Sequence, residues 1–208
     1  MKKTIIFIML FALLFTTGCS FTAVKKVEKK EEKQESKKKE EKQENEKKDE
    51  NNKEDKSQNK TPNVGAFNGD KAIGFSLKTL ADGKEINLNE YLGKKPIIIK
   101  FFASWCGPCR HEIPELKKIN DEYEKKGLKV LAVNLTNGDK LENVKALIAE
   151  NKVKFPVLLD ESGKVAISYS IRSIPVNIFI DKNGIIKNRS EGMLTFDSYK
   201  KFTDMIMK

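Results

Sequence analysis

Cys106 and Cys109, in the run Trp105-Cys106-Gly107-Pro108-Cys109, are the residues of this chain best suited to chemistry. Two thiols spaced this way can hold a metal, anchor a haem, close a small structural ring, or cycle between dithiol and disulfide. A structural zinc site takes about four ligands, and the chain has 3 Cys and 1 His, so no metal is expected. Covalent haem attachment needs a His directly after the second Cys, whereas Arg110 stands there and His111 falls one place late. A structural ring over two residues removes little chain entropy, because a disulfide stabilises more as its loop lengthens. That makes a staple the weaker reading and exchange the stronger one. If a helix starts at the pair, Cys106 meets free N–H groups and the positive end of the helix dipole. Such a position favours the thiolate and lowers a thiol pKa to roughly 3.5–7.5. Cys109 then lies one turn inside as the resolving thiol. Pro108 suits the first turn, where its missing N–H costs no hydrogen bond, and Trp105 flanks the opening as an apolar wall.

The elements that must position this pair are legible on both sides of it. The run Pro-Ile-Ile-Ile-Lys-Phe-Phe-Ala at 96–103 is nearly all β-branched and aromatic, the pattern of a central strand covered on both faces. Residues 108–126 carry Ile113, Leu116, Ile119 and Tyr123 at helical spacing, interrupted by Pro114 and stopped by Gly127. Residues 74–88 read as a short hairpin turning at 81–84, and 88–92 as one helical turn. Strands follow at 128–135 and 155–160, and helices at 141–151, 162–170 and 197–207. Residues 176–181 and 185–190 make a hairpin around the turn at 181–184. This alternation, ending in a hairpin, predicts an α/β fold: a mixed sheet with helices on both faces.

Ahead of this lies chain of a different kind. Residues 1–18 combine Lys2 and Lys3, an apolar run from Ile5 to Phe15 and small residues before Cys19. The run is shorter than the roughly 20 residues that span a bilayer and reads as a secretory signal. The following Cys19 is similar to a bacterial lipobox cysteine, although Thr16 replaces the usual Leu. Residues 19–63 read as a lipidated cysteine and a tether. Between 25 and 60 there are 14 Lys and 12 acids, and Val27 is the one aliphatic residue, so nothing offsets the entropy of ordering. As a coil, it would hold the domain on the order of 35 Å from the membrane. Its interleaved signs argue against a nucleic-acid arm, although the whole chain carries +10. Residues 64–208 are enough for one domain with an ordinary core.

Taken together, these pieces resemble the thioredoxin superfamily over almost all of 64–208. Within it, the nearest likeness is to the membrane-tethered TlpA/ResA-like thiol-disulfide oxidoreductases. The resemblance rests on "IIIKFFASWCGPC", "FPVLLD", "IRSIPVNIFIDKNG" and "FSLKTLADGKEINLNEYLGK". It implies a thioredoxin-like fold with an extra N-terminal β-hairpin, and a cis peptide at Ile174-Pro175 lying against the cysteines. Trp105, Gly107, Pro108, Ile174 and Pro175 would then form the substrate-binding surface. It implies catalysis by Cys106 and Cys109, with no cofactor beyond their disulfide, and Glu112 as an acid that tunes the pair and handles protons. Lys100 departs from the thioredoxins proper, which place a buried acid there. The implied partners are exported proteins with disulfides, apocytochrome c among the candidates, and a membrane electron donor of the CcdA or DsbD type. The implied place is the outer face of the bacterial cytoplasmic membrane. Gly107-Pro108 matches the thioredoxin dipeptide, whose potential is about −270 mV, and favours a reductant. A disulfide-forming oxidant and a thiol peroxidase are the alternatives. Against the peroxidase, Ala103 stands three residues before Cys106, where peroxiredoxins carry Thr or Ser.

Overall fold

The structure, a computed structural model, describes residues 62–208. The signal-like segment 1–18, Cys19 and the Lys/Glu-rich run 25–60 lie outside the described residues. In chain order the strands and helices are β1 (Val64–Gly65), β2 (Lys71–Ala72), β3 (Ser76–Thr79), β4 (Glu85–Asn87), β5 (Ile97–Phe102), α1 (Gly107–Tyr123), β6 (Lys129–Asn134), α2 (Leu141–Glu150), β7 (Val157–Leu159), α3 (Lys164–Ser168), β8 (Val176–Ile180), β9 (Ile186–Glu191) and α4 (Phe196–Ile206).

Seven of these strands form one sheet in the order β4-β3-β7-β6-β5-β8-β9. Strands β5, β6 and β7 run parallel, and β3, β8 and their hairpin partners run antiparallel to their neighbours. The mixed sheet expected from the sequence is therefore present, and the N-terminal hairpin β3–β4 extends its edge. β1 and β2 pair separately as a small parallel ladder that the sequence reading did not anticipate.

All six residues of β5 are buried, as a strand covered on both faces requires. Successive side chains alternate between two cores. Ile97, Ile99 and Phe101 join one that includes Val165 and Tyr169 beside α3. Ile98 and Phe102 join the other, with residues of α1, α2 and α4. Helices cover both faces, three on one side and the short α3 on the other. Lys100 falls between Ile98 and Phe102, on the face that carries α1.

The helix limits differ modestly from expectation. α1 runs unbroken through Pro114 to Tyr123, and 124–126 continue as a 3₁₀ turn. Gly127, at φ 105°, ends it. The helix expected over 162–170 contracts to Lys164–Ser168, because Gly163 enters it in the left-handed region and Ser170 leaves at φ 53°. Thr195 caps α4, its side chain accepting the Ser198 N–H, so that helix begins one residue early. The β8–β9 turn forms as read: Asp181 Oδ1 accepts the N–H groups of Asn183 and Ile185, at 2.9 and 3.0 Å.

Candidate active site

Cys106 sits where β5 hands over to α1. Its backbone is extended, at φ −79° and ψ 106°, and it is the N-cap residue of the helix. Cap residues normally offer a side-chain oxygen to the free N–H groups of the first turn. Here sulfur takes that place, with the Cys109 N–H directed at Cys106 Sγ over 3.2 Å. The helix terminus thus solvates the sulfur that would carry negative charge. The two cysteines are joined as a disulfide with a Cα–Cα distance of 5.2 Å. Cys106 retains 5% exposure and Cys109 none, so one sulfur can be approached and the other is shielded.

The remaining residues of the motif frame this opening. Pro108 lies in the first turn of α1, as expected. Gly107 is exposed, and a Cβ added to it would meet nothing within 4 Å. Trp105 is 64% exposed rather than packed in the core. Its Nε1 donates to the Gly138 carbonyl at 2.8 Å, which pins the ring beside the cysteines. The Ile174–Pro175 peptide is cis, as the resemblance implies. The Ile174 carbonyl oxygen lies 3.8 Å from Cys106 Sγ. His111 is exposed on α1, and a groove of about 530 Å³ runs beside it, lined also by Glu115, Met193, Leu194 and Phe196.

Glu112 is one turn beyond Cys109, and the sequence left open whether it faces solvent. It is fully buried. Three donors converge on its carboxylate: Lys100 Nζ on Oε2, and Asn177 Nδ2 at 3.0 Å and the Leu194 N–H at 2.6 Å on Oε1. Tyr199 extends the chain by donating to Asn177 Oδ1 at 2.6 Å. Lys100 and Asn177 are register partners across β5 and β8, which is why their side chains meet on one face. Burial pushes the Lys100 ammonium pKa down, while the Glu112 carboxylate against it works upward. Burial, reinforced by the Glu112 charge, pushes the Tyr199 phenol well above its ordinary value.

A second cluster holds the other side of the cysteine loop. Asp139 accepts the Ser104 N–H at 2.6 Å, the Ser104 hydroxyl, Asn134 Nδ2 at 2.8 Å and the Lys140 N–H at 2.8 Å. Burial acts to raise its pKa, but the Ser104 hydroxyl and N–H, with Asn134, outweigh it and hold the carboxyl below the usual range.

The structure thus brings Trp105, Cys106, Gly107, Pro108, Cys109, Ile174 and Pro175 to one opening, with Glu112 beneath them. Sequence reasoning missed the Lys100–Glu112 pair, Asn177, Tyr199 and the Asp139 clamp. One signal was available: a Lys inside an otherwise apolar strand covered on both faces demands a partner.

Comparison with known proteins agrees with this geometry. Residues 68–189 match the AhpC/TSA family. The thioredoxin-like protein YneN of Bacillus subtilis is 38% identical over 133 residues, covering 64% of this chain and 76% of that protein. The thiol-disulfide oxidoreductase ResA of Geobacillus thermodenitrificans is 32% identical over 138 residues, covering 66% and 77%. The crystal structure of StoA from Bacillus subtilis aligns with a TM-score of 0.55 at 30% identity, over 63% of this chain and 96% of that one. From site, fold and relatives alike, the chain belongs to the AhpC/TSA family, as a thioredoxin-like redox enzyme of the ResA kind.

Proposed function

We propose that the chain reduces disulfides in exported proteins at the outer face of the bacterial cytoplasmic membrane, where a lipid on Cys19 holds it. The observation that carries the chemistry is the position of Cys106: slightly exposed, at the cap of α1, with the Cys109 N–H on its sulfur and Ile174 beside it. In the reduced enzyme the Cys106 thiolate attacks a substrate disulfide. One substrate sulfur leaves as a thiolate and takes a proton from water, and the other stays bonded to Cys106. Cys109 then loses its proton and attacks Cys106 Sγ, which breaks the mixed disulfide, releases the second substrate thiolate and leaves the enzyme oxidised. Glu112, one turn on, is the buried charge placed to influence that proton loss. A membrane electron donor of the CcdA or DsbD type would restore the dithiol, and apocytochrome c is one substrate that fits.

Ile174 supports the substrate assignment, because this half-buried residue lies beside the sulfur, where a substrate chain could pair with it strand-like. The direction of exchange rests on Gly107-Pro108 and on their likeness to thioredoxin.

Trapping tests the substrate reading. In a Cys109→Ala variant expressed in cells, exported proteins should remain attached to Cys106 and be released by added thiol. An empty trap, together with no reduction of insulin disulfides by the wild-type protein, would overturn it. Equilibration with glutathione tests direction: a potential above about −180 mV would make the protein an oxidant.

A further inference from the structure

We propose that Lys100 is a positioning residue for the exchange reaction: its ammonium, sealed against Glu112 beneath α1, cancels the carboxylate's field at the cysteines. This keeps the Cys106 thiolate accessible at neutral pH although an acid is buried one helical turn beyond Cys109. The inference rests on the exchange reading and assigns a role to a residue outside the cysteine motif.

Geometry carries the argument. Lys100 and Glu112 have no exposed side-chain surface, and they are in direct contact. Glu112 and Cys109 are three residues apart on α1, which places their Cβ atoms about 5–6 Å apart. In so dry a place a charge is weakly screened and acts strongly on its neighbours. A lone carboxylate there would oppose a nearby thiolate and push the thiol pKa up. An ammonium bonded to it turns the pair into a dipole of no net charge. The groups facing Glu112 from the surrounding elements are Lys100 on β5, Asn177 on β8, Tyr199 on α4 through Asn177, and the Leu194 N–H before α4. Among these described groups, Lys100 is the single cation. Stability does not explain the pair, since replacing a buried ion pair by apolar residues of similar volume is often neutral or favourable.

The test uses the full-length reduced protein and reads the Cys106 thiol pKa from alkylation rates across pH, a quantity that a merely structural pair would leave alone. Lys100→Met should raise that pKa by about one, a roughly tenfold smaller thiolate fraction below it. In the Lys100→Met/Glu112→Gln double variant, with both charges gone, the pKa should return to the wild-type value. A folded Lys100→Met protein with a wild-type thiol pKa, or a displacement that persists in the double variant, would overturn the proposal. Should Lys100→Met not fold, Glu112→Gln takes its place: its unmasked ammonium should give a lower thiol pKa than the double variant, and equality would overturn the proposal. Failure of the exchange reading is separate, since it would show as wild-type protein unable to reduce insulin whatever the thiol pKa values are.

Discussion

The two faces of the central sheet are built from one strand, yet they have been put to different uses. On the α3 side, Ile97, Ile99 and Phe101 pack among apolar neighbours, and the Tyr169 hydroxyl reaches out to the Ile73 carbonyl at 2.6 Å. On the α1 side, the same strand alternates Ile98 and Phe102 with Lys100, and a polar chain from Lys100 through Glu112 and Asn177 to Tyr199 runs through the packing. Burying charge is expensive unless it is paired and hydrogen-bonded. On the α3 side the fully buried Asp160 is answered by the N–H groups of Val165 and Ala166, whereas a buried ion pair in contact within the packing is found on the face that carries the cysteine helix. The contrast teaches that one strand can give an apolar face to the core beside α3 and still carry, on its other face, a buried ion pair beneath the cysteine helix, where the proposed tuning of the sulfurs would act.

Four substitutions sharpen that contrast. The largest effect on activity should come from Cys106→Ser, which removes the proposed nucleophile and should bring insulin reduction to the uncatalysed level. Its melting temperature should match that of the reduced wild type, since the side chain contributes little packing that Ser does not replace. If that shared melting temperature fell far below that of the oxidised wild type, the pair would be a staple after all.

Next come the two faces themselves. Lys100→Met should destabilise by about 3–5 kcal/mol, because it strands a buried carboxylate, and it should alter thiol reactivity. Ile99→Ala should cost a similar amount, about 2–5 kcal/mol, by opening a cavity. Its thiol reactivity per folded molecule should stay unchanged. Denaturant melts paired with alkylation rates would separate the two. If Ile99→Ala moved the thiol chemistry as much as Lys100→Met, the division of labour between faces would be wrong.

Asp139 gives the smallest effect. Its pKa is depressed, so the stability it contributes is complete above the ordinary carboxylate range and is lost as pH falls through its lower folded value. Asp139→Asn should flatten that acid-side slope and cost roughly 1 kcal/mol at neutral pH, with water replacing part of what is lost. Melts recorded between about pH 3 and pH 7 would check it.

The chain announced much of this arrangement and concealed a definite part. The cysteine pair, the buried strand before it and the helix after it are local patterns, and local patterns survive in one dimension. Ile174-Pro175 was placed by resemblance, because nothing within its own neighbours says that it folds back onto residue 106. Glu112 shows the limit clearly. Helical spacing puts it on the Cys109 face, but its depth depends on the Leu194 backbone, 82 residues away, closing over it. Lys100 and Asn177 meet because two strands pair in one register, and a one-residue slip would turn them to opposite faces. Asp139 reaches Ser104 from 35 positions further along the chain. Such groupings are tertiary facts, and no periodicity encodes them.

Gly107 leaves the molecule with an adjustable dial. The position between the sulfurs faces water, adopts no backbone angle reserved for glycine, and has empty space where a side chain would grow. A side chain can therefore begin there, beside the sulfurs, without a clash at its first atom or backbone strain. Redox poise in this scaffold is free to drift, or to be engineered, independently of the architecture that supports it.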